Sequence, residues 1–158
     1  MKRAATADRE RALEAAVIKT FSEMAFVDVV PATAPQSEEI EFSHLLYISY
    51  DQPEKGAIVL FLSAQCKKLI VENIYGKRWD CLQATEIDDC LLELLNVLAG
   101  NYLSERNGAD SKHHMSLPEL LFDEKQLADG GDPKSMWFDA EGIPFRISIH
   151  MNPTFTGG

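Results

Sequence analysis

Three side chains near the middle of the chain, Asp89, Glu93 and Asn96, have the types and the spacing for hydrolytic chemistry. Their steps of four and three positions put one of them on each successive helical turn, so on a helix they form a single polar stripe. A carboxamide can hold an attacking water in line through hydrogen bonds without itself being a base. A carboxylate one turn away can pair with a cation on a partner. Positioning of this kind suffices for phosphoryl transfer, whose loose transition state asks mostly for alignment and charge stabilisation. Gly100 falls on the same stripe one turn beyond Asn96. A mid-helix glycine costs roughly 1 kcal/mol against alanine, and a position without a side chain lets another surface approach the acid and the amide closely. Asn is also a poor mid-helix residue. The bland alternative is a solvated helix face. The order acid, acid, amide, glycine argues against it.

The stripe needs a helix to carry it, and residues 85–107 supply one. Ile87, Leu91, Leu94, Leu95, Leu98 and Tyr102 gather on the opposite face, which should bury against a sheet or another helix. Glu86, Ser104 and Asn107 extend the polar side. Thr85 and Asp88 have capping-box spacing at the start, and Asn107-Gly108 is a helix stop. A first helix is expected over residues 7–26, with Leu13, Ala16, Val17, Thr20, Phe21 and Met24 inward, and a shorter one over 64–75. Strands are expected at 26–30, 40–50 and 57–62, the last a continuous apolar run that suggests burial on both faces. After the long helix, 117–122 reads as extended and Asp129-Gly-Gly-Asp-Pro133 as a turn. A closing hairpin pairs 135–138 with 145–151, where Phe145, Ile147, Ile149 and Met151 alternate with Arg146, Ser148 and His150. The order predicts one layered α/β domain over residues 1–158 with a duplicated α-β-β plan, and loose tails at 1–6 and 152–158.

The totals narrow the partners. A chain of 158 residues, 46% hydrophobic, is the size of one domain with a real core. A net charge of −10 disfavours nucleic acid and anionic membrane surfaces. No apolar run approaches the ~18 residues of a membrane span, and no signal peptide is evident, so a cytoplasmic protein is expected. Cys66, Cys81 and Cys90 are odd in number and widely spaced, and read as reduced thiols, with Cys90 in the core. His44, His113, His114 and His150 are scattered without metal-ligand spacing, so no metal site is expected. P-loop, GxGxxG and GxSxG motifs are all missing from the sequence.

The run Asp89-x3-Glu93-x2-Asn96, continuing Val-Leu-Ala-Gly100-Asn101, resembles the signature helix of the CheC/CheX/FliY phosphatases of bacterial chemotaxis. Phe21-Ser-Glu-Met-Ala-Phe26, Gly56-Ala-Ile-Val-Leu-Phe-Leu62 and Ser116-Leu-Pro118 are similar to other segments of CheX-like domains, so the resemblance covers most of residues 7–151. It implies two long helices on a largely antiparallel central sheet, and hydrolysis of the aspartyl phosphate of a CheY-like response regulator. Carried onto this sequence, Asn96 would orient the water, Glu93 would pair with the regulator's lysine, and Asp89 would be a supporting acid. The Mg²⁺ would belong to the regulator, so the chain would need no cofactor of its own. Some members carry a second Glu-x-x-Asn on the first helix; here that stretch reads Glu23-Met-Ala-Phe26, and a phenyl ring cannot orient water. A single active helix fits CheX, which implies a homodimer. The alternative is a receiver-binding or flagellar/chemotaxis adaptor that uses the same helix without catalysis.

Overall fold

The computed structural model describes residues 2–35, 40–52, 54–108, 114–123, 127–128 and 134–155. Three helices lie among them: α1 (Lys2–Ala25), α2 (Ala64–Tyr75) and α3 (Ala84–Asn107). The strands are β1 (Val29–Ala32), β2 (Phe42–Tyr50), β3 (Gly56–Ser63), β4 (Glu119–Leu121), β5 (Leu127–Ala128), β6 (Lys134–Ala140), β7 (Ile143–Met151) and β8 (Thr154–Phe155). Six of them form one antiparallel sheet in the order β1-β6-β7-β3-β2-β4, and β5 pairs with β8.

The strand order explains the duplication. Exchanging α1-β1-β2-β3 for α3-β4-β6-β7 turns the order into β4-β2-β3-β7-β6-β1, which is the same sheet read from its other edge. The chain is therefore two α-β-β-β halves, each lending its first strand to the other half's second strand. The sequence pattern showed the repeat with one strand too few, because short edge strands such as β1 and β4 carry little periodicity. Pro31 is tolerated in β1 because an edge strand need not donate on its open side.

Central strand β3 is buried from Gly56 to Leu62, as its unbroken apolar run suggests. Ile58, Leu60 and Leu62, with Leu46, Ile48, Phe145, Ile147 and Ile149, face the core that the helices cover. Tyr47, Ala57, Val59, Phe61 and Leu121 cluster on the other face. Arg146 places its guanidinium 4.4 Å from the centre of the Phe61 ring and donates to Ser135 Oγ. The alternation expected in β7 is present, although Ser148 and His150 are buried too.

Three sequence expectations are corrected. Helix α1 begins at Lys2, not at residue 7, and Thr154–Phe155 pairs with β5 rather than trailing loosely. The capping box at the start of α3 lies two residues earlier than Thr85–Asp88: Glu86 Oε1 accepts from the Gln83 N–H at 3.0 Å. The longer glutamate reaches back to the preceding N–H, and Asp88 is left for another partner. His113 and the Asp129–Pro133 turn lie outside the described residues.

Candidate functional site

Helix α3 is oriented by what it buries. Ile87, Leu91, Leu94, Leu95, Leu98 and Tyr102 are packed into the core, together with Cys90, Ala99 and Leu103. Each large apolar side chain contributes about 1.5–3 kcal/mol by leaving water, so rolling the helix to hide its polar stripe would forfeit several of them. Opposite, Asp89 and Glu93 are exposed, and Asn96 and Gly100 are half-buried. At a rise of about 1.5 Å per residue, Glu93 and Asn96 stand about 4.5 Å apart along the axis. Among the described residues, no side chain hydrogen-bonds or pairs with Asp89, Glu93 or Asn96. The structure thus brings the four stripe residues onto one outward face.

A methyl group added at Gly100 would meet nothing within 4 Å. Packing inside this chain therefore does not require a glycine there, and the open space lies on the solvent side of the stripe. Its neighbour Asn101 turns the other way, donating from Nδ2 to Thr20 Oγ1 on α1 at 2.9 Å. Thr20 is buried, so this bond fixes the register of α1 against α3. The Glu23–Phe26 stretch does not reproduce the α3 arrangement. Helix α1 ends at Ala25, and Phe26 sits just beyond it with φ 55° and is 70% exposed. Both long helices have 24 residues. Matched end to end, they place Arg11 and Glu14 opposite Glu93 and Asn96. Helix α1 contains neither Asn nor Gln, so no water-positioning amide exists on it in either register.

Several residues that anchor α3 were not legible in the sequence. Asp88, next to the stripe, meets His44 Nε2 of β2 at 2.9 Å, and His44 Nδ1 lies 3.2 Å from Lys67 Nζ of α2. Desolvation holds the Lys67 ammonium below its usual pKa, and Asp88 opposes that shift. Tyr75, the last residue of α2, donates its hydroxyl to the Glu86 carbonyl at 3.1 Å, in the first turn of α3. At the far end, Arg106 pairs with Glu54, which also meets Arg9 Nε at 3.4 Å. Spacing could not reveal these partners, because each joins segments that only the tertiary fold brings together.

Two of the three cysteines, Cys66 and Cys90, are buried. Burial pushes the Cys66 thiol up to about 12 and the Cys90 thiol up to about 11, so both stay protonated at neutral pH. Among the described residues no cluster of three His, Cys, Asp or Glu side chains could hold a metal ion. No described helix is long and apolar enough to cross a membrane.

No protein-family model matches the sequence, and no curated protein matches it significantly. Solved structures do match. A chemotaxis protein CheX from Vibrio vulnificus superposes with a TM-score of 0.70 at 16% identity, over 89% of this chain and 93% of that one. A chemotactic CheC-like protein from Shewanella oneidensis MR-1 gives 0.70 at 14% identity, over 92% and 98%. The CheX–CheY–BeF3–Mg²⁺ complex from Borrelia burgdorferi gives 0.61 at 11% identity, over 89% and 96%. At these identities the likeness is one of fold, and the whole layered, antiparallel-sheet architecture is shared.

Proposed function

We propose that this chain is a phosphatase that hydrolyses the aspartyl phosphate of a CheY-like response regulator. The observation that carries the reading is the outward-facing Asp89–Glu93–Asn96 stripe, with its acids exposed, its amide half-buried and no hydrogen-bond or ion-pair partner among the described residues, beside a glycine that the chain's own packing does not need. It lies on a fold shared with CheX and CheC-like structures, one of them a complex with CheY.

The stripe is half of a site. The regulator brings the phosphorylated aspartate, the Mg²⁺ and a lysine. Asn96 enters beside the phosphoryl group and holds a water in line with the bond to be broken. Water oxygen bonds to phosphorus, the bond from phosphorus to the aspartyl oxygen breaks, and inorganic phosphate leaves with the regulator's carboxylate restored. Glu93 pairs with the lysine and fixes the approach. Asp89 supports it from one turn before, and Gly100 leaves clearance for the partner's surface. The chain contributes alignment and no covalent step. A homodimer is part of the proposal, and sedimentation of the purified chain tests it.

Phosphate loss from a panel of phosphorylated receiver domains, timed with and without the chain, tests the activity. Asn96→Ala should lower the accelerated rate by about 100-fold or more, and Glu93→Ala should lower it chiefly by weakening docking, with thermal unfolding unchanged for both. Binding of a phosphorylated receiver with no change in phosphate lifetime would replace the phosphatase by an adaptor.

A further inference from the structure

The α2–α3 connection carries two cations just ahead of the helix that bears the stripe. Gly76 takes the left-handed conformation (φ 64°) and its N–H closes on the Glu72 carbonyl at 2.8 Å, turning the chain sharply after Tyr75. Glu72 Oε2 then accepts the Trp79 N–H at 2.7 Å, and Lys67 Nζ lies 5.6 Å from the centre of the Trp79 ring. The turn is held at its other end by the Tyr75 hydroxyl on the Glu86 carbonyl. Glu86 is three residues before Asp89, so this anchor stands at the head of the stripe. Lys77 and Arg78 emerge between the two anchors, exposed and with no ion-pair partner among the described residues. Tyr75 keeps 37% of its surface exposed beside them. Its phenol is pushed above the ordinary range, first by desolvation and then by the nearby Cys90, Glu86 and Asp89.

Unpaired cations there have a use. A phosphorylated receiver presents an acyl phosphate within a pocket whose carboxylates hold Mg²⁺. A chain of net charge −10 that advances an acidic stripe into that pocket meets like charge. We propose that Tyr75, Lys77 and Arg78 form a second contact surface for the phosphorylated receiver, offsetting this repulsion and setting affinity without taking part in hydrolysis. The proposal rests on the reading of the stripe as a receiver-docking site. Because both ends of the turn are fixed, little ordering is needed when it docks.

The test is the double charge reversal K77E/R78E, with Tyr75→Ala as a second variant, on a phosphorylated CheY-type receiver. At low salt the double variant should raise KM about 10-fold with kcat unchanged. Its KM should fall with added salt where that of the unaltered chain rises. Tyr75→Ala should raise KM several-fold. An unchanged KM and salt dependence in K77E/R78E would overturn the second surface even if Asn96→Ala abolishes hydrolysis. If the unaltered chain binds the phosphorylated receiver without accelerating phosphate loss, the hydrolysis reading falls. The same variants are then judged by affinity, where an unchanged Kd overturns the surface. No binding at all overturns both.

Discussion

Gly100 separates two demands that usually coincide at one residue. A helical glycine is normally kept by a close internal neighbour, yet a Cβ at this position would meet nothing within 4 Å. Gly100→Ala should therefore stabilise the isolated chain, by about 1 kcal/mol from helix propensity alone. The same methyl group would stand in the partner's path, so docking of a phosphorylated receiver should weaken. Chemical denaturation and titration of the receiver measure the two effects separately, and gains in both would remove the clearance role. At this scale the sequence was informative. The acid, amide and glycine share one face because helical spacing alone puts them there. The partners of Asp88, Glu86 and Asn101 were hidden, since His44, Tyr75 and Thr20 reach them across the fold.

Among the elements, the end of α1 is closed differently from the end of α3, where the Gly108 N–H returns to the Ser104 carbonyl. Val27 N–H returns to the Phe21 carbonyl at 3.1 Å, and the chain bends around Phe26 in a left-handed conformation that disfavours a bulky side chain. Phe26→Asn would restore the letters Glu-x-x-Asn at residues 23–26. It should stabilise the chain by about 1 kcal/mol, because Asn tolerates that conformation better than Phe. It should not raise the rate of phosphate loss, because residue 26 lies beyond the helix. A doubled rate per chain would show that position 26 can present an amide after all. The sequence suggested that this stretch is inactive because of its phenyl ring, and the backbone supplies a second reason that no spacing rule contains.

The sheet and its two long helices form a symmetric frame carrying one asymmetric polar stripe. Strand order is unchanged when the two α-β-β-β halves are exchanged, but of the two long helices only α3 carries an acid and an amide together on its outer face. That frame is centred on a strand, β3, buried on both faces, and at its first residue, Gly56, an added Cβ would collide with the Tyr50 hydroxyl. Tyr50 is itself buried and packs against the Tyr102 ring of α3 at 5.9 Å. Gly56→Ala should thus cost about 1–3 kcal/mol by overpacking, seen as a lowered denaturation midpoint. Class, helix layer and the burial of β3 were legible in the apolar patterns. The exchange of first strands was not, because short edge strands take their partners from the tertiary fold rather than from local periodicity.

The central claim concerns one side chain. The most direct measurement is the decay of phosphate on a phosphorylated CheY-like receiver, timed with the unaltered chain and with Asn96→Ala at concentrations that saturate binding. If Asn96 holds the attacking water, the unaltered chain shortens the phosphate lifetime, and the variant binds as tightly while losing about 100-fold of the added rate. Full acceleration by Asn96→Ala would contradict the claim.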